Sequence, residues 1–189
     1  MPKDFLEDRK KALEDSFFAR ENEKLLEQLR AKQRKKAARE GLAEISGVHD
    51  RAVLDQLIDL DIEPVTWTAI SLIPLVEVAW ADGRMDEKER RAVLAAAEAN
   101  GVFVDSPSYA LLQSWLERRP DGRLFQTWGE YIVHLCSKLG EPEKQRLKAE
   151  VLGRARSVAE ATGGILGMGN KISPEEAVIL SELEKAFDG

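Results

Sequence analysis

Apolar positions follow two regimes along the chain. Up to residue 49 they are sparse in a charged background. At ~100° per residue, Leu6, Leu13 and Phe17 fall on one helical line and Phe18, Leu25 and Leu29 on another, about 120° around the axis. Over that length the stripe is too wide and too drifting for a strict heptad seam. No proline follows Pro2 and no glycine precedes Gly41 in this segment, so the pattern predicts one long amphipathic helix over residues 4–40. From residue 50 onward the apolar residues are denser, and legible stops separate the runs. The spacing predicts helices over 50–60, 64–81, 87–100, 107–119, 124–139, 142–162 and 174–187, with the second kinked or broken at Pro74. Ser106 before Pro107 reads as a cap followed by a first-turn proline. Gly101 and Gly140 read as terminators. No window alternates strongly enough to compete as a strand. The expectation is an all-α fold: a helical arm over residues 1–49 and a helical domain over residues 50–189.

Composition narrows the chemistry. One cysteine, Cys136, forbids an internal disulfide, and with only His49 and His134 it cannot complete a four-ligand zinc site. The least charged stretch, residues 65–81, contains Pro74 and Glu77 and is shorter than the ~20 residues of a membrane span. The charged first twenty residues hold no apolar core of a secretory signal. Together these point to a cytoplasmic protein. Residues 1–50 carry twelve basic and eleven acidic side chains, whereas residues 51–189 carry sixteen and twenty-three. The basic ones gather in a stripe, Arg30, Lys32, Arg34, Lys35, Lys36 and Arg39, with no acid from residue 30 to 39. Such a stripe suits RNA or an anionic membrane surface. The overall acidity makes nucleic acid an unfavoured main partner.

The most informative stretch is Ala81-Asp82-Gly83-Arg84-Met85-Asp86-Glu87-Lys88-Glu89. Gly83 suits the left-handed end of a helix. Asp86 and Glu89 have the spacing of a capping box. The device returns 87 residues later, with Ile172, Ser173 and Glu176 standing where Met85, Asp86 and Glu89 stood. The run Leu75-Val76-Glu77-Val78-Ala79-Trp80-Ala81-Asp82-Gly83, with Met85, Asp86 and Glu89, resembles the signature of the TerB-like domain of tellurite-resistance and related stress proteins. The resemblance covers roughly residues 66–187. It implies a helical bundle of two pseudo-symmetric halves, and a divalent cation held by acidic residues at the corners. Asp82, Asp86 and Glu89 are the candidate metal ligands. The second corner has Gly169-Asn170 in place of Asp82-Gly83, so one carboxylate is missing from its copy. Two of the first corner's three carboxylates are already useful as caps, while calcium asks for six to eight oxygens. Capping is therefore the reading that the residues favour.

No enzyme constellation emerges. The tract Gly163-Gly164-Ile165-Leu166-Gly167-Met168-Gly169-Asn170-Lys171 lacks the Gly-Lys-Ser/Thr of a phosphate loop and follows no strand, so it reads as a loop. His134 and Cys136 are two residues apart on a helix and point apart, which disfavours a nucleophile pair. Trp67, Trp80, Trp115 and Trp128 sit among aliphatic residues and read as core. In the arm, Arg9, Ala12, Glu14, Phe17, Phe18, Leu26, Leu29 and Arg30 resemble, in register, the inhibitory helix of the mitochondrial ATP synthase inhibitor protein. That resemblance spans about 22 residues and implies a rotary ATPase as partner. Phe17, Phe18, Leu25 and Leu29 are thus the candidate partner-binding residues. The expectation is a non-enzymatic interaction or regulatory protein, either a TerB-like domain with a docking arm or a rotary-ATPase inhibitor, with homodimerisation through the arm as a further outcome.

Overall fold

The computed structural model describes the backbone of residues 2–162 and 172–188, and the side chains of residues 17–161 and 172–188. Every regular element among them is helical: α1 Pro2–Ser46, α2 Arg51–Asp59, α3 Ile73–Ala79, α4 Glu87–Ala99, α5 Pro107–Glu117, α6 Arg123–Cys136, α7 Glu141–Thr162 and α8 Pro174–Asp188. A 3-10 segment, Trp67–Leu72, precedes α3. The all-α expectation therefore holds. The run over residues 64–81 is broken, as Pro74 demands: the chain is 3-10 up to Leu72 and α-helical from Ile73, with Pro74 in the first turn of α3. At that position the missing N–H is not needed by the helix.

Two compact units divide the chain, Met1–Ala38 and Arg39–Gly189. The second unit thus begins inside α1 rather than at residue 50. The reason is burial: Leu42 and Val48, which the charge boundary had left with the arm, are 0% and 1% exposed within the apolar core. Arg39 donates to the Asp55 carboxylate at 2.5 and 2.8 Å. Gly41 lies where any Cβ would meet the Pro64 ring at 2.7 Å, so glycine allows the close approach there.

The core of the second unit is organised around α3. Six of its seven residues are buried, namely Ile73, Pro74, Leu75, Val76, Val78 and Ala79. It packs against α4, α6, α7 and α8. Seven residues are too few to hold a helix alone in water, so this one exists because it is enclosed. Trp128 of α6 stacks on Phe125 at 5.8 Å between ring centroids and meets Phe187 of α8 edge-on at 6.2 Å. Trp67 meets Tyr131 edge-on at 5.4 Å. Burial pushes the Tyr131 phenol up to about 12. All four tryptophans join this core or pack on it.

Candidate functional site

At the first corner, the α3 end turns through Gly83, whose φ of +83° is in the left-handed region. Its N–H donates to the Trp80 carbonyl at 2.9 Å. The Asp86 carboxylate then accepts from the Lys88 and Glu89 amides at 2.7 and 2.8 Å, and Glu89 accepts from the Asp86 amide at 2.6 Å. This is a complete capping box. Asp82 accepts from the Arg84 amide at 2.8 Å, closing the turn that precedes it. At the second corner Ser173 Oγ accepts from the Glu176 amide at 3.1 Å, and Glu176 accepts from the Ser173 amide at 2.7 Å. The two corners share one hydrogen-bonding device, although one cap is a carboxylate and the other a hydroxyl. Gly163 to Lys171, including the Gly169-Asn170 pair, lie outside the described residues.

The two corners also sense each other electrostatically. Burial pushes the Glu89 carboxyl above its usual range. The Asp86 amide acts in the opposite direction, and repulsion from Asp86, Asp82 and Glu176 adds to the rise. Glu176 itself is only 6% exposed. Asp82, Asp86 and Glu89 share one corner, but each carboxylate is engaged by a backbone amide. Among the described residues no group of three or more His, Cys, Asp or Glu is arranged to hold a metal ion. Asp82 thus closes the turn, and Asp86 and Glu89 cap the start of α4, where the free amides need acceptors.

In the arm, Phe17, Phe18, Leu25 and Leu29 lie 59%, 62%, 55% and 55% exposed, and Leu26 joins them at 53%. The Phe17 and Phe18 rings meet edge to face, 5.9 Å between centroids. The apolar residues do not keep to one face over all of α1. Lys24 pairs with Glu21 across one helical turn at 3.0 Å. Of the basic stripe, Arg30, Lys32, Arg34 and Lys36 are exposed. Arg39 is withdrawn from it, since its pairing with Asp55 leaves its side chain only 22% exposed. Charge runs alone could not reveal this. Nothing within residues 30–39 does so, because the partner carboxylate is sixteen residues on.

Two further features escaped the sequence reading. A cleft of about 720 Å³ is lined by Asp59, Asp61, Trp115, Arg118, Arg119 and Arg123 with seven others. Two of its arginines are paired, Arg123 with Asp121 at 2.7 Å and Arg119 with Glu77 at 3.3 Å. The hydrogen bond from the Arg123 side chain holds the Asp121 carboxyl down at about 2. The second feature is a pair of α5 carbonyls taken up by side chains, Trp115 by Trp80 Nε1 at 2.8 Å and Leu116 by Arg90 at 3.1 Å. Elsewhere, His134 lies 3.7 Å from Asp50. The Cys136 thiol is pushed up by burial, away from the thiolate that a nucleophile requires. No helix among the described residues is long and apolar enough to cross a membrane.

Comparison with protein-family models, with curated proteins and with solved structures gives no match to this chain.

Proposed function

We propose that the chain is a non-enzymatic interaction and regulatory protein of the TerB-like, stress-response type. In this reading the helical unit from Arg39 onward is a folded platform of two related halves, and the N-terminal helix docks on a protein. The observation that carries it is the cluster of Phe17, Phe18, Leu25, Leu26 and Leu29, each more than half exposed on one segment of helix. Large apolar side chains scattered singly are ordinary on a protein surface, whereas five within thirteen residues of one exposed helix are characteristic of a recognition face. The Ala81-Asp82-Gly83 corner and the two capping boxes support the TerB-like reading of the platform.

Affinity capture from the native cell tests the docking role. The full chain is compared with a full chain carrying Phe18→Ser, Leu25→Ser and Leu29→Ser. The reading requires specific associations that the substituted chain loses while its thermal transition is unchanged. An identical set of associations with both chains refutes it.

A second reading is supported by the two adjacent exposed aromatics, which stand about 100° apart on the helix, so that only an enclosing partner buries both. It is inhibition of a rotary ATPase through α1. A peptide covering residues 2–40 would inhibit ATP hydrolysis by the purified motor, and Phe17→Ala and Phe18→Ala would each relieve it. No inhibition by the parent peptide removes this reading and leaves the general docking role standing. RNA or anionic-membrane binding by residues 30–39 is the weakest reading, because Arg39 is committed to Asp55.

A further inference from the structure

Between α2 and α6, which pack together, lies a cavity of about 180 Å³. Arg123, Gln126, Thr127 and Glu130 line it from α6, at the i, i+3, i+4 and i+7 spacing of one helix face. From the end of α2 come Gln56, Asp59 and Leu60. Of all these only Leu60 is apolar, in a place where two packed helices ordinarily meet through apolar side chains. Thr127 is the informative one. It is 3% exposed, and among the described residues nothing hydrogen-bonds its hydroxyl. Ser157 of α7 shows the usual outlet within a helix, donating to the carbonyl four residues back at 3.0 Å. Thr127 does not take it. Among the described residues no side-chain oxygen or nitrogen is both sealed from solvent and unbonded, so the Thr127 hydroxyl opens onto the cavity that its residue lines.

The balance of charge around that hydroxyl is negative. Asp59 is the last residue of α2, whose last turn carries no basic residue and whose dipole leaves that end negative. The Glu130 carboxylate accepts from the neutral Gln126 amide at 3.3 Å. Arg123, the cation among the lining residues, is engaged chiefly elsewhere: its guanidinium donates to Asp121 at 2.7 and 3.1 Å. We infer that this cavity binds the ammonium group of a small aliphatic amine, with Thr127 Oγ1 and the Glu130 carboxylate as acceptors and Leu60 against the methylenes. A primary ammonium carries three donors and no acceptor, which suits a lining in which acceptors outnumber uncommitted donors. An anion would meet Asp59, Glu130 and the negative end of α2. A metal ion fits less well, since among the described residues no three His, Cys, Asp or Glu are arranged to hold one. A volume near 180 Å³ takes a molecule of about six heavy atoms, which admits butylamine.

Isothermal titration calorimetry of the full chain with butylamine tests the site. The expected result is saturable one-to-one binding that Thr127→Val and Glu130→Gln each weaken by roughly tenfold, the effect of losing one hydrogen bond to a charged group. Tetramethylammonium, which has the charge but no N–H, should not bind. Without amine, the Thr127→Val chain should melt no lower than the parent, because the hydroxyl it removes has no partner in the fold. A lower melting temperature for Thr127→Val overturns the assignment, as does the absence of saturable binding. Binding indifferent to both substitutions, or matched by tetramethylammonium, overturns it as well. Tighter binding of Nα-acetyl-lysine methylamide, the same ammonium on a peptide backbone, would overturn the free amine in favour of a partner's lysine.

Discussion

Two helices of this protein, α1 and α3, are stabilised by opposite means. The α1 residues of the first unit are rich in glutamate, lysine, arginine and leucine, free of glycine, and helical through local propensity summed over a long run. Their large apolar side chains, where described, remain exposed. The seven residues of α3 include β-branched Ile73, Val76 and Val78 together with a proline, and could not nucleate a helix unaided. They are helical because four other helices enclose them. A chain can thus place apolar residues in its core or leave them at its surface. Their burial separates the two uses more cleanly than their hydrophobicity does.

The largest expected test of that contrast is where the chain is cut. A chain beginning at Arg39 should retain a cooperative thermal transition. One beginning at residue 50 loses Leu42, Val48 and the Arg39–Asp55 pair from the second unit. Burial of each of those two apolar side chains contributes about 1.5–3 kcal/mol, so the shorter chain should melt far lower or not fold. Equal stability of the two chains in denaturant titrations would show that the last turns of α1 are dispensable.

Point substitutions sharpen the same comparison. Leu75→Ala in α3 should cost about 2–5 kcal/mol in chemical denaturation, as expected of a fully buried leucine. Leu25→Ala in α1 should stay within about 0.5 kcal/mol under conditions where the chain is monomeric. Similar losses at the two leucines would erase the distinction.

Smaller effects belong to the corners. Asp86→Ala and Ser173→Ala should each cost about 1 kcal/mol, measured by urea unfolding, through the amides left without an acceptor. Asp82→Asn keeps an acceptor for the Arg84 amide and should be close to neutral.

The smallest effect is one of pH. The folded Glu89 carboxyl is raised, first by burial and then by its acidic neighbours. The folded state therefore holds this proton more tightly than the unfolded chain does. Its stabilising contribution is complete below the unfolded carboxyl range and is lost as pH rises through the raised value. Glu89→Gln, which keeps an oxygen for the Asp86 amide, should flatten the fall in stability just above the ordinary carboxylate range. An unchanged pH profile would mean that Glu89 titrates alike in both states.

Much of this was legible because it is local. Helix boundaries followed from Ser106 before Pro107, from Gly83 and Gly101, and from the break at Pro74, each a constraint on φ or on one backbone amide. Both capping boxes were readable from a three-residue spacing, since a cap reaches no farther than one helical turn. What depends on residues distant in sequence could not be read that way. Arg39 belonged to a basic stripe until Asp55 took it, and Leu42 and Val48 belonged to the arm until the core enclosed them. Glu89 and Glu176, 87 residues apart, became electrostatic neighbours. The amino-acid sequence alone determined that the chain is helical, where the capped helices α4, α5 and α8 begin, and the basic run over residues 30–39, because propensity, capping and charge order are properties of neighbours along the chain. Only the tertiary structure decided which apolar residues are core and where the second unit begins, because those depend on which surfaces the folded chain removes from water.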